Sequence, residues 1–159
     1  MPIEDEFVGE FESQALFTGG SKLFMYDVND SNPVEVAELV ELPLSFKRDV
    51  LDATSHSTGG WKARKAGLKD IGDLQCDILF NKDDATHMGF LDMLMDENPN
   101  PKARIYKLVY PGNPALIVAF RALCTGVSLP NKTDDILRAQ VTLSSTGKPV
   151  IDVADPETV

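Results

Sequence analysis

Apolar and polar residues alternate at every second position through most of the chain, and this constrains the fold more than any other feature. Leu42, Leu44 and Phe46 alternate with Glu41, Pro43, Ser45 and Lys47. Leu74, Cys76, Ile78 and Phe80 alternate with Gln75, Asp77 and Asn81, and Leu137, Ala139, Val141 and Leu143 with Arg138, Gln140, Thr142 and Ser144. A period of two sends successive side chains to opposite faces, so these segments read as antiparallel strands with one face buried and one wet. Further strands are expected over 22–28, 103–110, 115–129 and 149–153.

Turn residues punctuate the runs. Pro111-Gly112-Asn113-Pro114 predicts a tight hairpin, and Ser145-Thr146-Gly147-Lys148 predicts a turn joining the last two strands. Gly126, inside a long strand, predicts a bulge or bend. One segment changes period: Met88, Leu91, Leu94 and Met95 recur at helical spacing behind Asp83-Asp84, which can cap a helix, and Asn98-Pro99-Asn100-Pro101 stops it. With Phe90 and Met93 the stripe reads most simply as a packing face, but it is broad for one face and leaves room for a contact across a subunit boundary. With 159 residues, the chain suits a single domain: mainly β, an antiparallel sandwich or barrel-like subunit with one flanking α-helix.

Residues 47–72 form the one long connection. At over twenty residues it exceeds the roughly 12–15 that compact domains leave without structure, which marks it as functional or as ordered on binding. The charge pattern singles out the same stretch. The net charge is -10, which opposes a protein that grips nucleic acid through its phosphates or sits on an anionic membrane. It comes in blocks: -9 over residues 1–46, +4 over 47–69, -7 over 70–101 and +2 over the rest. Blocks of alternating sign suggest faces that meet complementary faces.

Catalytic and ligand motifs are thin. His56 lies near Asp49, Asp52 and Ser55, but the other histidine, His87, is on the helix and no metal-ligand spacing completes a set. The simpler reading is a loop histidine hydrogen-bonded to neighbouring hydroxyls or carboxylates. Gly59-Gly60 and Gly19-Gly20 lack the Gly-Lys-Ser/Thr ending of a phosphate loop and read as turns. Cys76 and Cys124 sit in apolar strand contexts with no activating base, so core packing is expected and no cofactor is implied. Trp61 beside Lys62, Arg64 and Lys65 fits a protein contact better than a nucleic-acid patch, because Trp and Arg concentrate at interface hot spots. No run approaches the ~20 apolar residues of a transmembrane helix, and no signal-peptide pattern opens the chain, so folding in a reducing cytoplasm is expected.

Several segments, in order, resemble the tail tube proteins of long-tailed bacteriophages. They are Phe46-Lys47-Arg48-Asp49-Val50-Leu51-Asp52-Ala53-Thr54-Ser55-His56, then Gly67 to Asp73, the strand Gln75 to Phe80 leading into the helix, and Val141 to Pro149. The likeness spans about residues 20–152. It implies six copies in a ring and rings stacked into a tube, with a lumen that passes DNA without specific binding. It also implies a tape-measure protein inside, and terminator and tip proteins at the ends, as partners in a virion tail. The loop over 47–72 would reach the next ring, making Lys47, Arg48, Asp49, Asp52, His56, Trp61, Lys62, Arg64 and Lys65 the expected contacts. An acidic N-terminal arm over 1–20 and a tail over 154–159 would flank the domain. Two alternatives stand beside this reading. One is the tube ring of a contractile secretion system; the other is a small β-barrel enzyme or ligand-binding domain using His56 and Asp52.

Overall fold

The structure, a computed structural model, describes residues 19–112, 114–131 and 136–154. Most of the acidic arm, the tail from residue 155 and Asn113 of the expected hairpin turn lie outside the described residues. The chain runs β1 (Lys22–Met25), β2 (Val34–Glu35), β3 (Leu39–Glu41), β4 (Lys47–Asp52), β5 (Arg64–Asp70), β6 (Asp73–Leu79), α1 (Ala85–Leu94), β7 (Arg104–Val109), β8 (Ala115–Ser128) and β9 (Arg138–Ala154). Seven strands form one antiparallel sheet in the order β2-β1-β7-β8-β9-β6-β3, and β4-β5 stand apart as a two-stranded ribbon. The large sheet curls into a half-barrel, so the expected fold is met in its barrel-like form.

The period-two segments behave as their pattern requires. In β6, Leu74, Cys76 and Ile78 are buried while Gln75 is exposed, and in β9 Ala139, Val141 and Leu143 repeat the pattern. These rows are adjacent, because Cys76 pairs with Val141 and Leu74 with Leu143. The segment Leu42 to Phe46 departs from expectation. Strand β3 stops at Glu41, and only Leu42 of the three apolar residues is buried. Pro43 lacks the N–H that a continuing ladder needs.

The turn expected at 145–148 is instead a bulge. Strand β9 is continuous over 17 residues and pairs with β8 on both sides of Gly147, at Ala119↔Val150 and Arg121↔Thr146. Gly147 sits at φ 79°, which supplies the local twist without a chain reversal. A second bulge, between Cys124 and Gly126, occurs where the in-strand glycine predicted it.

Helix α1 lies over β8. Asp84 caps it, its carboxylate accepting from the Thr86 N–H at 2.9 Å. Phe90, fully buried, is in line with Tyr106 and Phe120, with ring centroids 6.3 Å and 5.8 Å apart. Of the broad apolar stripe only Phe90 is fully enclosed, and Met88 and Met95 remain open to solvent. His87 is also fully buried. Its Nδ1 accepts from the Asn81 N–H at 2.9 Å and its Nε2 faces the Ala37 carbonyl at 2.7 Å, which fixes the neutral Nε2–H tautomer. The helix is thereby tied both to the end of β6 and to the β2–β3 connection.

Both thiols serve packing. Cys76 is wholly buried, and burial, with Asp77 nearby, pushes its pKa up to about 12. Cys124 is pushed up by burial as well. On the opposite face of the sheet, the buried Lys107 places its ammonium 5.1 Å from the Phe24 ring centre and 5.9 Å from that of Tyr26. The rings and the apolar stem keep this cation inside a strand that sequence pattern alone would open to water.

Candidate assembly interface

The nine residues singled out in the sequence all fall on the β4–β5 ribbon. Lys47, Arg48, Asp49 and Asp52 lie on β4, Arg64 and Lys65 on β5, and His56, Trp61 and Lys62 in the connection between them. Residues 47–72 are therefore an ordered hairpin and not the irregular loop their turn-rich middle suggested. Period two is hidden there because neither face is buried: every residue of β4 is exposed, as is every residue of β5 except Gly67.

Local chemistry builds the ribbon. Val50 pairs with Ala66, Leu51 with Lys65 and Asp52 with Arg64, which sets opposite charges across the ladder. At the far end the Ala53 N–H donates to the Ala63 carbonyl at 2.9 Å and the Ala63 N–H to the Thr54 hydroxyl at 3.0 Å. A 3-10 turn over His56–Thr58 then reverses the chain, with Gly59 at φ 65° and Gly60 at φ 87°. Near the foot a bulge falls between Arg48 and Val50, and the chains approach closely enough that a Cβ on Gly67 would lie 3.0 Å from the Asp49 carbonyl oxygen. The return strand is pinned at its end. Ile71 is buried in the core, and the Gly72 carbonyl accepts from the Ser145 hydroxyl at 2.9 Å.

The geometry does not assemble a catalytic group. Hydrogen bonds from the Thr54 hydroxyl and amide hold the Asp52 carboxyl below the usual carboxylate range. His56 is exposed and makes none of the hydrogen bonds expected with Asp49, Asp52 or Ser55, while Ser55 bonds to Ser57 at 2.8 Å instead. Among the described residues no cluster of His, Cys, Asp and Glu is placed to hold a metal.

The ribbon does hold unsatisfied apolar surface. Trp61 at its tip is 81% exposed and Leu68 near its foot 82%, with Val50 and Leu51 also open. Beneath the foot, Phe46, Leu68, Pro149 and Ile151 wall a groove. Sequence reading missed it, since Phe46 counted as an inward position of a strand; the strand stops after Glu41 and leaves Phe46 exposed, as Ile151 is at the end of β9.

Solved structures share this architecture. The chain is similar to a chain of the anti-feeding prophage baseplate (12% identity, TM-score 0.72, covering 89% of this chain and 98% of that one). It also resembles a chain from the tail of an empty gene transfer agent particle of C6 symmetry (20%, 0.66, 83% and 96%) and one of the SPP1 tail tube (10%, 0.67, 87% and 80%). No curated protein sequence matches the chain. The family model of the lambda phage tail tube protein matches residues 15–152, and the chain belongs to that family. It is a tail tube protein, a structural component of phage-type tails.

Proposed function

We propose that six copies of the chain close into a ring, that rings stack into a hollow tube, and that the β4–β5 ribbon of one ring grips the next. The observation that carries this reading is the ribbon itself. A two-stranded ribbon with no buried face is marginal in water, and this one keeps Trp61 and the cations Lys62, Arg64 and Lys65 toward its tip, outside the body that anchors it. A second copy would supply the missing cover. Stacking of unlike faces extends without limit, as a tube requires, and edge strands β2 and β3 would be covered by neighbours within the ring. The net charge of -10 suits a lumen that passes DNA without holding it. A tape-measure protein within the tube, and terminator and tip proteins at its ends, complete the proposed set of partners. The protein works by assembly and not by catalysis. The fold likeness extends to contractile injection tubes, and membership of the lambda family favours the phage tail.

Electron microscopy of the purified chain tests the proposal. Wild-type protein is expected to form rings or tubes, and the variant Lys62→Glu/Arg64→Glu/Lys65→Glu is expected to stay unstacked with its body folded. Normal tubes from that variant would overturn the stacking role.

A further inference from the structure

The groove at the foot of the ribbon carries chemistry that neither the core nor the tip uses. It holds about 830 Å³ between apolar walls of Phe46, Leu68, Pro149 and Ile151. Its rim is cationic, with Lys47, Arg48, Lys69 and Lys148 against the single carboxylate of Asp70. Arg48 and Lys69 stand directly opposite each other across the ladder, an arrangement of like charges that costs stability unless an anion lies between them. Asp70 stands opposite Lys47 in the same ladder, and among the described residues the ion pairs within 4 Å are those of Asp30 with Lys102 and Arg121, so one carboxylate faces four cations on this rim and closes no ion pair with them.

The complementary sequence lies in the chain itself. Residues 3–12 hold Glu4, Asp5, Glu6, Glu10 and Glu12 and no base, interleaved with Ile3, Phe7, Val8 and Phe11. The route is short. Gly19, Gly20 and Ser21 share a pocket with Leu42 and Pro43, and Phe46, a wall of the groove, follows three residues later. Three residues span at most about 10 Å, whereas the seven from Glu12 to Gly19 can span about 25 Å. So short a tether gives an effective concentration in the millimolar range, and a weak acidic and apolar fit then suffices.

We propose that this groove takes an acidic peptide interleaved with apolar side chains, and that residues 3–12 of the same chain are its occupant. The docking stands apart from the stacking role of the tip, and its test uses chains that have not assembled. Carbodiimide treatment of the full chain joins carboxylates to lysine amines in contact with them, and mass spectrometry locates the links. Links from Glu4, Asp5, Glu6, Glu10 and Glu12 are expected to concentrate on Lys47, Lys69 and Lys148. An even spread over Lys62, Lys65, Lys82 and Lys102 would overturn the proposal. So would links between light and heavy isotope-labelled chains in a mixture, which would make a second copy the occupant. A second readout is cleavage by an endoproteinase specific for glutamate. The variant Lys69→Gln/Lys148→Gln is expected to be cut at Glu4 to Glu12 several-fold faster than wild type, and an unchanged rate would contradict the docking.

Discussion

The body and the ribbon belong to one chain, yet they turn their large apolar side chains in opposite directions. In the body, seven strands and α1 enclose Leu23, Phe90, Tyr106, Phe120, Val141 and their neighbours, and the interior alone accounts for its order. The ribbon has a full ladder and no interior, and its large apolar side chains face outward. The body has the interior to fold as a monomer, whereas in the proposed tube the ribbon would gain its stabilising contacts from another surface. Its foot, held by Ile71 and the Ser145–Gly72 hydrogen bond, joins the two regimes.

That contrast can be broken first from the body side. Phe90→Ala opens a cavity in the aromatic row and is expected to remove about 3–5 kcal/mol of folding stability, measured by chemical denaturation, and with it all assembly. The same readout should barely register Trp61→Ala, whose expected cost is about 2 kcal/mol per contact in the assembled state, measured as a raised critical concentration by sedimentation. A large fall in monomer stability on losing Trp61 would show that the ribbon is packed into the body. Asp84→Ala removes the helix cap and is expected to cost about 1 kcal/mol of body stability, with no effect on stacking beyond that loss.

The smallest effect is the pH dependence. Hydrogen bonds from Thr86 hold the Asp84 carboxyl below its ordinary value, and the hydrogen bond from Arg121 does the same for Asp30. A carboxyl lowered in the folded state contributes stability above its unfolded value, and that contribution fades as pH falls through the lowered folded value. Thermal midpoints should therefore stay level from neutral pH down to about 5 and decline below about 4. Asp30→Asn should flatten part of that decline.

How much could be read from the sequence follows the same division. Where one face is buried, alternation is faithful, so β6 and the first half of β9 were legible; β8 read as a strand from its apolar run, and the Asp84 cap and the Gly126 bulge followed from local chemistry. Where no face is buried, the code has nothing to alternate between, and the ribbon read as a loop. Gly147 misled for a different reason: a positive φ suits a turn and a bulge equally, and only the partner strand β8 decides between them. The buried Lys107 and His87 depend on contacts from distant strands and loops, Phe24 for one and Ala37 for the other. The candidate contact residues came from the resemblance, with Trp61, Lys62, Arg64 and Lys65 also singled out by their chemistry, and that all nine lie on a two-stranded ribbon became visible only in three dimensions.

Trp61 is the chain's one tryptophan and stands at the ribbon tip, so its own emission reports on the contact that assembly is held to make. Fluorescence can be followed while the purified protein is concentrated through the onset of tube formation, with light scattering recorded alongside. The expected result is a solvent-exposed emission maximum in the monomer that shifts to shorter wavelength, with loss of quencher access, in step with scattering. Tubes that form while Trp61 keeps its monomer emission and quenching would contradict the ribbon's role in joining one ring to the next.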